Sequence, residues 1–590
     1  MTNVEIVELL RNVVAALTIK DVNRFRIIAY TKAADAIEQL TSEVKDLWNE
    51  DKLELIPGVG KGIASALDEL FKTGGVKHFE EIFSGISPAL FVLLKIPGLG
   101  PKRAYQLTQT FQIYDPKSAV DILEKVAKLN KIGKLEGWGE KSQTQLLSAI
   151  ATFRKGQIKE NRMPLPLADM LAQELIAYLS PLPQVERVDV LGSLRRKVAT
   201  IGDIDMAVAT NDPEVVLDAF VKFPKVRKIT DKGPKGATVQ LLVGRQVDLR
   251  VQTPQAYGAM LQYFTGSKYH NIKLRELALK KGLSLNEHGI KRIKAGKTIP
   301  YATEEDFYKV LGMDWIPPEI REDLGEIEAS LRHTLPKLVG LTEIKGDLHI
   351  HSNYDLKPSH DLGSSSFEEL LNQAVSQHYE YIGISDHNPK VSDLKVEQII
   401  DIMKRRKHAF EQFYSSWENH KNNRVHFFTM LEVDIDPKGK LALPMEAFDY
   451  IDACVVSIHS SFTQSKELMT ERILNGLSHP KAKILGHPTA RLLGSRESIE
   501  ADWDKIFQFC KAYNKALEIN SWPERLDLPD RLVKEAISQG VKLVISTDSH
   551  AAGQMSGMQY GVDVARRGWA TKKEILNTLE YNEFNTWIKG

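Results

Sequence analysis

Cysteine is scarce in this chain, and long apolar runs are missing. Of the 590 residues only Cys454 and Cys510 are cysteines, both in apolar sequence, which argues against a disulfide framework or a thiolate zinc site and predicts buried, reduced thiols. No apolar run approaches a membrane span, and the start, MTNVEIVELL, lacks the parts of a secretion signal. We therefore expect a cytoplasmic protein, and the length predicts about three or four domains.

The formal net charge of +1 conceals an uneven distribution of charge along the chain. Residues 1–300 contain 44 lysines and arginines against 33 aspartates and glutamates, whereas residues 301–590 contain 34 against 44. The first part therefore suits a polyanion such as nucleic acid, and the second suits cations. A moderate basic excess is about as often a plain solvated surface as a nucleic-acid-binding one. The charge alone therefore does not identify a nucleic-acid-binding protein, and the motifs are needed.

A glycine-rich turn recurs three times in the first 155 residues. Each copy has an apolar residue, Gly-x-Gly and a predicted helix: LIPGVGKGIASAL (55–67), KIPGLGPKRAYQL (95–107) and KLEGWGEKSQTQL (134–146). The glycines permit a tight turn before a helix N-terminus, where free N–H groups and the positive dipole end can hold a phosphate. Repetition and nearby basic residues such as Arg103 favour this interpretation over a simple helix–helix turn.

These segments resemble the helix-hairpin-helix element, which grips the DNA backbone without reading its sequence. The third copy is the weakest match, because Glu136 and Glu140 place carboxylates beside the phosphate position. The resemblance implies DNA-binding roles for Gly58, Gly60, Lys61, Gly98, Gly100 and Lys102.

Two aspartates stand two positions apart in the apolar run IGDIDMAV (201–208). On a strand, Asp203 and Asp205 would share one face, where their carboxylates repel each other. A third carboxylate, Asp248, lies in another alternating segment, GRQVDLRVQT. Aspartates facing solvent on an edge strand are the usual explanation of such a pair. Three converging carboxylates, however, become stable around divalent cations, and two Mg²⁺ would activate a 3′-hydroxyl and neutralise a departing pyrophosphate.

The neighbouring motifs favour the metal site. About ten residues upstream, GSLRR supplies a turn and guanidinium groups suited to a triphosphate. The pattern G-S-x-R-R-x₅-G-D-x-D resembles the nucleotidyltransferase palm of family X DNA polymerases, and YFTGSKYHNIKLR (263–275) resembles that family's thumb. The match extends over roughly residues 1 to 330.

The resemblance implies a role for each matching residue. Asp203, Asp205 and Asp248 would be the catalytic metal ligands. Tyr263 and Phe264 would flank the incoming sugar and discriminate against ribose, Asn271 would reach the minor-groove edge of the base, and Arg275 would contact the template strand. The implied nucleotide-binding set is Gly192, Ser193, Arg195, Arg196, Gly202, Tyr263, Phe264, Gly266 and Asn271.

One position departs from the family. Vertebrate repair members carry a lysine in the second helix of the first hairpin that forms a Schiff base with an abasic sugar, and this chain has Ala66 there. The family's 5′-deoxyribose-phosphate lyase activity is therefore not carried over, although Lys61 or Lys32 could still bind a 5′-phosphate.

Beyond the polar segment PPEIREDLGEIEASLRHTLPKLVG, strands alternate with helices, as in an α/β barrel. Histidines and carboxylates follow the apolar strand runs, where one histidine alone would be structural but a whole series indicates a metal cluster. The series is His349 and His351 in DLHIH, His387 in GISDHN, Glu432 in TMLEVDI, His459 in VVSIHSS, His487 in ILGHPTA, and Asp548 and His550 in VISTDSH.

This succession resembles the PHP domain, a distorted barrel that holds three metals and hydrolyses phosphoesters. By that resemblance, a first metal is held by His349, His351, Glu432 and Asp548. Glu432 would bridge to a second metal on His459 and His487, and His387 with His550 would hold a third. Many members read H-S-x-x-S-D-G after the first pair, whereas this chain reads HSNYDLKPSHDLG, so the remaining ligand is Asp355, His360 or Asp361.

Palm and PHP barrel in one chain together resemble bacterial and archaeal family X DNA polymerases. We expect a multidomain protein in which an α-helical region precedes an α+β palm with a thumb and a distorted (β/α) barrel. The expected boundaries are an amino-terminal helical DNA-binding domain (1–85), a second helix-hairpin-helix domain (86–155), the palm (156–255), the thumb (256–320), a linker (321–343) and the PHP domain (344–590).

The expected function is gap filling in DNA repair, with a metal-dependent 3′-to-5′ exonuclease, and an abasic-site endonuclease as a further possibility, in the barrel. We expect Mg²⁺ in the palm, up to three Mn²⁺ or Zn²⁺ ions in the barrel, gapped or primed DNA and dNTPs as partners, and a monomer associated with the nucleoid. Two alternatives are a non-catalytic DNA clamp serving a phosphoesterase, and a polymerase with a structural barrel. The intact aspartate set argues against the first, and the nearly complete ligand set against the second.

Overall fold

The structure, a computed structural model, describes residues 3–21, 24–38, 44–49, 52–56, 58–96, 98–135, 137–157, 162–294, 296–420 and 425–590. The chain divides into two compact units, Met1–Asn161 and Arg162–Gly590. Among the described residues, no helix combines the length and the apolar character that crossing a membrane requires.

The first unit is helical and has two apolar clusters. One forms around residues such as Leu10 and Leu67, and the other around residues such as Leu93 and Leu107. Its helices are α1 (Asn3–Ile19), α2 (Arg24–Glu38), α3 (Val44–Asn49), α4 (Lys61–Thr73), α5 (Lys77–Phe83), α6 (Pro88–Leu93), α7 (Pro101–Thr110), α8 (Ala119–Lys128) and α9 (Glu140–Gln157).

The second unit begins with the palm, a five-stranded sheet in the order β2-β4-β7-β6-β5. Only β4 and β7 run parallel to each other in it, and the remaining neighbours are antiparallel. A small ladder of β1 and β3 stands beside it. The elements are β1 (Met163–Pro164), α10 (Leu165–Leu179), β2 (Arg187–Val190), α11 (Gly192–Arg195), β3 (Thr200–Ile201), β4 (Ile204–Ala209), α12 (Pro213–Val221), β5 (Val226–Gly233), β6 (Gly236–Leu241) and β7 (Gln246–Gln252).

The thumb consists of helices and a small antiparallel sheet in the order β10-β9-β8. Residues 321–343, the expected linker, contain a helix and bury Arg321, Glu326 and Ser330, so this segment packs as part of the unit. The elements are α13 (Tyr257–Thr265), α14 (Lys268–Lys280), β8 (Leu283–Asn286), β9 (Gly289–Arg292), β10 (Thr298–Ile299), α15 (Glu304–Val310) and α16 (Glu326–Leu331).

The chain ends in a parallel barrel of seven strands, β11 to β17, hydrogen-bonded in chain order. The strands are almost continuously apolar and buried, as expected when helices cover a parallel sheet. A bridge between Ile350 and Ser549 brings the first and last strands together, so the barrel is nearly closed. The predicted α/β barrel is therefore confirmed, and both cysteines are buried and free within it.

The elements of the barrel alternate from strand to helix as the sequence predicts, except that a 3₁₀ helix connects β13 to β14 and that α22 and α23 have no strand between them. They are β11 (Gly346–Ile350), α17 (Phe367–Ser376), β12 (Tyr381–Ile384), α18 (Val396–His420), β13 (His426–Asp434), β14 (Ala453–Ser457), α19 (Lys466–Leu477), β15 (Ala482–Leu485), α20 (Trp503–Ala512), β16 (Ala516–Asn520), α21 (Asp530–Ser538), β17 (Lys542–Ser546), α22 (Met558–Arg567) and α23 (Tyr581–Lys589). Single-turn 3₁₀ helices occur at Leu53–Leu55, Pro254–Ala256, Pro318–Ile320, Leu341–Glu343 and Leu576–Thr578, and longer ones at Met445–Tyr450 and Ala552–Gly557.

Candidate active sites

The palm brings its three aspartates to the paired strands β4 and β7. Asp205 lies directly opposite Asp248 in the parallel ladder. Asp203 does not lie on a strand as predicted, because the run 201–208 bends at Gly202 and β4 begins one residue after Asp203. Thr238 and Gln246 donate hydrogen bonds to Asp248, which orients its carboxylate.

The electrostatics of this trio suit a cation. Burial, and after it repulsion from Asp248, raise the pKa of Asp205 to about 7. The same two causes raise the pKa of Asp203. Carboxylates that resist ionisation in each other's presence gain most from a divalent cation, which removes their mutual repulsion.

The GSLRR turn lies against the aspartates. It forms the short helix α11, and Gly192 at its start has a φ of +55°. A Cβ atom on Gly192 would stand only 2.3 Å from Asp205 Oδ2, so only glycine permits this approach. Ser193, next on the turn, is half-buried.

The two arginines of the turn are both paired with carboxylates. Arg195 donates from Nη1 and Nη2 to the two carboxylate oxygens of Glu304, at 2.9 and 2.6 Å. Arg196 donates from Nε to Glu322 at 3.0 Å and from Nη1 to the carbonyl of Thr265. A triphosphate would therefore have to compete with Glu322 for Arg196, whereas the fork of Arg195 is taken up by Glu304.

The thumb motif lies beside the turn. A Cβ atom on Gly266 would come within 3.1 Å of Arg196 Nη1. Asn271 donates to the carbonyl of Tyr263 at 2.7 Å, and the guanidinium of Arg250 lies 4.3 Å from the centre of the Phe264 ring. The palm and thumb motifs therefore meet around Arg196, and Arg275 is half-buried on the same helix as Asn271.

The glycine turns of the first unit share one geometry. The residue before the second glycine donates to the carbonyl three positions earlier: Val59 to Ile56, Leu99 to Ile96 and Trp138 to Leu135, at 3.0 to 3.1 Å. Positive φ angles occur at Gly58, Gly98 and Gly137, and the first two turns lead into α4 and α7 through Gly60 and Gly100.

Several basic side chains lie near these turns. Lys61 and Lys102 are exposed on the first turns of α4 and α7, and Lys32 is exposed beside Gly58. Arg103 lies 5.0 Å from the centre of the Trp138 ring. Ala66 is buried in α4, so its position could not present a nucleophile without rearrangement. Glu136 lies outside the described residues.

The barrel gathers its histidines around Glu432, which is 1% exposed. His349 and Glu432 lie near the carboxyl ends of β11 and β13 and the other members follow strand ends, the edge at which barrel enzymes collect their chemistry. Five histidines have a ring nitrogen close to a carboxylate oxygen of Glu432. The distance between the two atoms is 2.9 Å for His387 and His487, 3.3 Å for His349, 3.4 Å for His459 and 3.7 Å for His351.

The charges of the cluster are strongly interdependent. Burial alone would raise the pKa of Glu432, but His349, His387 and His459 outweigh burial and hold that pKa well below its usual value. Burial lowers the pKa of His351 well below its usual value and that of His487 to about 4. At His349 and His387 the nearby carboxylates outweigh burial, so the pKa of His349 lies well above its usual value and that of His387 rises to about 10. The cluster thus offers an anionic carboxylate and neutral imidazoles at His351 and His487, whereas a cation would have to displace a proton from His349 and His387.

Buried polar atoms without a well-aligned hydrogen bond show where cations fit. Among the described residues, His349 Nε2, His387 Nδ1, Glu432 Oε2 and His550 Nε2 have ionic neighbours but no hydrogen bond of proper geometry. Desolvated atoms of this kind cost free energy unless something binds them. One ligand atom each from His349, His351, Glu432 and Asp548 could reach one ion, as could the set His387, Glu432 and His459 and the set His351, His387 and His550.

The geometry distinguishes the three open choices for the remaining ligand. Asp361 lies 3.5 Å from His387 Nε2 and 3.4 Å from His550 Nε2. His360 instead lies 3.0 Å from Asp434. Asp355 accepts a hydrogen bond from the backbone of Lys357, two residues away. Of the three, Asp361 is the one whose carboxylate lies near both His387 and His550, whereas His360 belongs to another candidate group with Asp434 and His459.

The sequence reasoning missed the carboxylates that hold the histidines in place. Glu518, fully buried on β16, lies 2.7 Å from His349 Nδ1 and accepts a hydrogen bond from the backbone N–H of His487. Asp434 lies 2.6 Å from His459 Nδ1. Such partners fix which ring nitrogen faces a metal. Asp434 is an acid at the end of β13 and Glu518 an acid inside the apolar run ALEIN of β16, and these positions were the available signal.

Comparisons with known proteins agree with this architecture. Residues 1–76 match the model of a helix-hairpin-helix domain, residues 260–322 that of the DNA polymerase beta thumb, and residues 347–522 that of the PHP domain. The DNA polymerase/3′-5′ exonuclease PolX of Bacillus subtilis (strain 168) is 31% identical over 590 residues, which cover 99% of each chain. The chain belongs to the PolX family.

Two further relatives each match one part of this PolX-family chain. DNA polymerase lambda of Rattus norvegicus is 24% identical over 351 residues, or 54% of this chain and 56% of its own length. A probable phosphatase of Thermoanaerobacter sp. (strain X514) is 24% identical over 226 residues, or 36% of this chain and 84% of its own length. Each of these two relatives thus covers a part of this chain, one being named a DNA polymerase and the other a probable phosphatase.

Proposed function

We propose that this chain is a DNA-directed DNA polymerase that fills short gaps during repair, and that its barrel is a metal-dependent 3′-to-5′ exonuclease. The observation that carries the polymerase half is the placement of Asp205 opposite Asp248, with the Gly192 turn packed against Asp205. The nuclease half rests on the buried cluster around Glu432. Full-length similarity to a PolX that is named for both activities supports the combination.

In the palm, the chain's own residues would hold and align the reactants. Asp203, Asp205 and Asp248 would hold Mg²⁺, and Arg196 and the Gly192 turn would bind the triphosphate. Tyr263 and Phe264 would support the sugar, with Asn271 at the base and Arg275 at the template.

In the barrel, Glu432 would be shared between two ion positions. His349, His351 and Asp548 would complete the first, His459 and His487 the second, and His387, His550 and Asp361 the third, with Mn²⁺ or Zn²⁺ as the ions. Divalent cations bound in the palm and barrel would supply Lewis acidity, acidifying the attacking group and neutralising the leaving oxygen. Glu518 and Asp434 would keep His349 and His459 turned toward the ions.

The first unit would bring the protein to its substrate. The glycine turns at Gly58–Gly60 and Gly98–Gly100, with Lys61 and Lys102 beside them, would hold backbone phosphates on either side of a gap. We expect a monomer that associates with the nucleoid in the cytoplasm.

The experiment is a paired assay with the purified full-length chain. A primer on gapped DNA should be extended with dNTPs and Mg²⁺, and a 3′-labelled single strand should be shortened with Mn²⁺ in the absence of dNTPs. Extension without degradation would indicate a structural barrel, and degradation without extension would indicate a DNA clamp that serves a phosphoesterase.

A further inference from the structure

A helix of the barrel is packed directly against the nucleotide-binding part of the palm. The last turns of α22 carry three charged residues that face the polymerase part of the same unit. Asp563 lies 3.7 Å from Lys197, the residue after the GSLRR turn. Arg566 donates to the carboxylate of Glu319 at 2.9 Å. The contact therefore joins the barrel to the loop that carries Arg196.

Arg567, the last residue of α22, makes the most central of these contacts and is 8% exposed. Its Nη1 donates to the carbonyl of Arg196 at 2.6 Å and to Glu322 Oε1 at 3.1 Å. Its Nε and Nη2 both lie 2.7 Å from Asp530 Oδ2, which fixes the guanidinium from the barrel side. The fork is thus anchored in the barrel and reaches into the palm.

Arg196 uses the same carboxylate oxygen from the other side. Its Nε donates to Glu322 Oε1 at 3.0 Å, so two guanidinium groups, one from each domain, share one acceptor atom. The Arg196 side chain is 15% exposed and that of Glu322 is 23% exposed, so the three charges interact in a partly desolvated setting. When one of these two donors leaves, the carboxylate oxygen therefore still has the other as a charged partner.

We propose that Arg567 is a positioning residue for the incoming triphosphate, and that it acts through Glu322 on Arg196. This inference rests on the proposed role of Arg196 as a phosphate ligand. Arg196 must exchange its carboxylate partner for phosphate oxygens, and Arg567 is already in place to keep Glu322 when that happens. The barrel thereby lowers the cost of freeing Arg196, because Arg567 stays anchored to Asp530 and still binds Glu322.

Removing Arg567 should raise that cost. In Arg567→Gln, Arg196 is left as the guanidinium partner of Glu322, so a triphosphate has to displace that carboxylate. We expect the KM for dNTP in gap filling to rise about five- to tenfold with little change in kcat. The double variant Arg567→Gln/Glu322→Gln should recover most of the wild-type KM, since the competing carboxylate has gone. Arg567→Lys, which keeps the charge but loses the fork that reaches both Asp530 and Glu322, should give an intermediate KM.

A matched control stands next to it on the same helix. Arg566→Gln breaks the ion pair with Glu319 at the same interface without touching Glu322, so its KM for dNTP should not change. Exonuclease activity and thermal unfolding of each variant report whether the fold is intact. Equilibrium binding of dATP with Ca²⁺, measured on the same preparations, tests the inference independently of the proposed function.

The outcomes separate the two ideas. A wild-type chain that binds dATP but extends no primer would contradict polymerisation, while weaker dATP binding in Arg567→Gln would still support the positioning role. A KM and a dATP affinity unchanged in Arg567→Gln, an increase not reversed by Glu322→Gln, or an equal increase in Arg566→Gln would overturn it. A wild-type chain that binds no dATP would overturn both.

Discussion

Asp205 on β4 stands directly opposite Asp248 on the parallel strand β7, and both carboxylates belong to the face against which the Gly192 turn packs. Burial, and after it repulsion between these two half-buried acids, raise the pKa of Asp205 to about 7. The arrangement is unfavourable by itself and becomes favourable with divalent cations.

The first prediction is that polymerisation depends on this pair and that degradation in the barrel does not. Asp205→Asn should lower primer extension by about a thousandfold or more, because the cations that stabilise the transition state lose a ligand. Mn²⁺-dependent shortening of a single strand should continue. Asp231→Asn, the same change at an exposed position of β5 in the same sheet, is the control and should leave both activities intact. Loss of both activities in a folded Asp205→Asn protein would contradict separate sites.

The second prediction concerns the buried carboxylate of Glu304, which joins palm and thumb. Besides the fork of Arg195, it accepts hydrogen bonds from Arg321 at 2.7 Å and Trp315 at 3.1 Å. Burial alone would raise its pKa, but the two arginines hold that pKa far below its usual value. Glu304→Gln should lower the free energy of unfolding at pH 7 by about 3 kcal/mol, because it leaves buried guanidinium groups without a counter-ion.

The pH dependence of this loss has a defined sign. Because the pKa is depressed in the folded state, the stabilisation is complete above the unfolded pKa near 4.5 and declines as the pH falls below it. The difference in unfolding free energy between wild type and Glu304→Gln should therefore shrink by about 1.4 kcal/mol per pH unit below pH ~4.5. Urea unfolding between pH 7 and 3 measures it. Glu305→Gln, at the exposed neighbouring position, should differ little from wild type throughout.

The sequence was informative where chemistry repeats along the chain. Histidines after successive apolar runs predicted the barrel and its cluster, because parallel strands bring their carboxyl ends to one edge. The pairing of Arg195 with Glu304, 109 residues apart, could not be predicted, since the GSLRR motif specifies basic groups but not their tertiary partners. The same holds for Glu518 beside His349, 169 residues apart. Local pattern identified which residues bear the chemistry, and only the fold determined which acid holds each base.

The third prediction is that Glu432 is the centre of the nuclease. Its two carboxylate oxygens lie near histidines that follow several different strands, so its loss removes a shared ligand rather than one ligand of one ion. Glu432→Ala should abolish Mn²⁺-dependent release of nucleotides from a 3′-labelled strand and lower bound metal more than His387→Ala does. Glu446→Ala, an exposed acid elsewhere in the barrel, is the control. If a folded Glu432→Ala protein degraded the strand at the wild-type rate, Glu432 would have only a structural role.

The fourth prediction identifies the remaining ligand of the site that contains His387 and His550. Asp361 reaches both imidazoles, whereas Asp355 does not leave its own turn. Asp361→Asn should lower the metal content of the purified protein by about one ion per chain and slow degradation. Asp355→Asn should retain the wild-type metal content. Elemental analysis of both proteins decides between them, and a loss confined to His360→Asn would assign the ligand to His360 instead.

The last prediction concerns recognition of a gap by the first helical unit. Lys61 is exposed on the first turn of α4, directly after Gly60, and no side chain caps the backbone N–H groups of that turn. A helix N-terminus with an adjacent lysine is a site for a phosphate, so a 5′-phosphate downstream of a short gap should strengthen DNA binding. That advantage should decline as salt rises, because binding releases counterions from the DNA.

Lys61→Gln should reduce the gain from the 5′-phosphate and lower the slope of log affinity against log salt by about 1, as expected for the loss of one phosphate contact. The control is Lys72→Gln at the far end of the same helix, where the lysine is paired with Asp68 at 2.8 Å. Fluorescence anisotropy on gapped duplexes with and without the phosphate measures both effects. Equal affinity of the wild type for the two duplexes would show that this turn does not bind the downstream end. An equal loss of affinity in the Lys61 and Lys72 variants would show that Lys61 contributes only its positive charge and makes no specific phosphate contact.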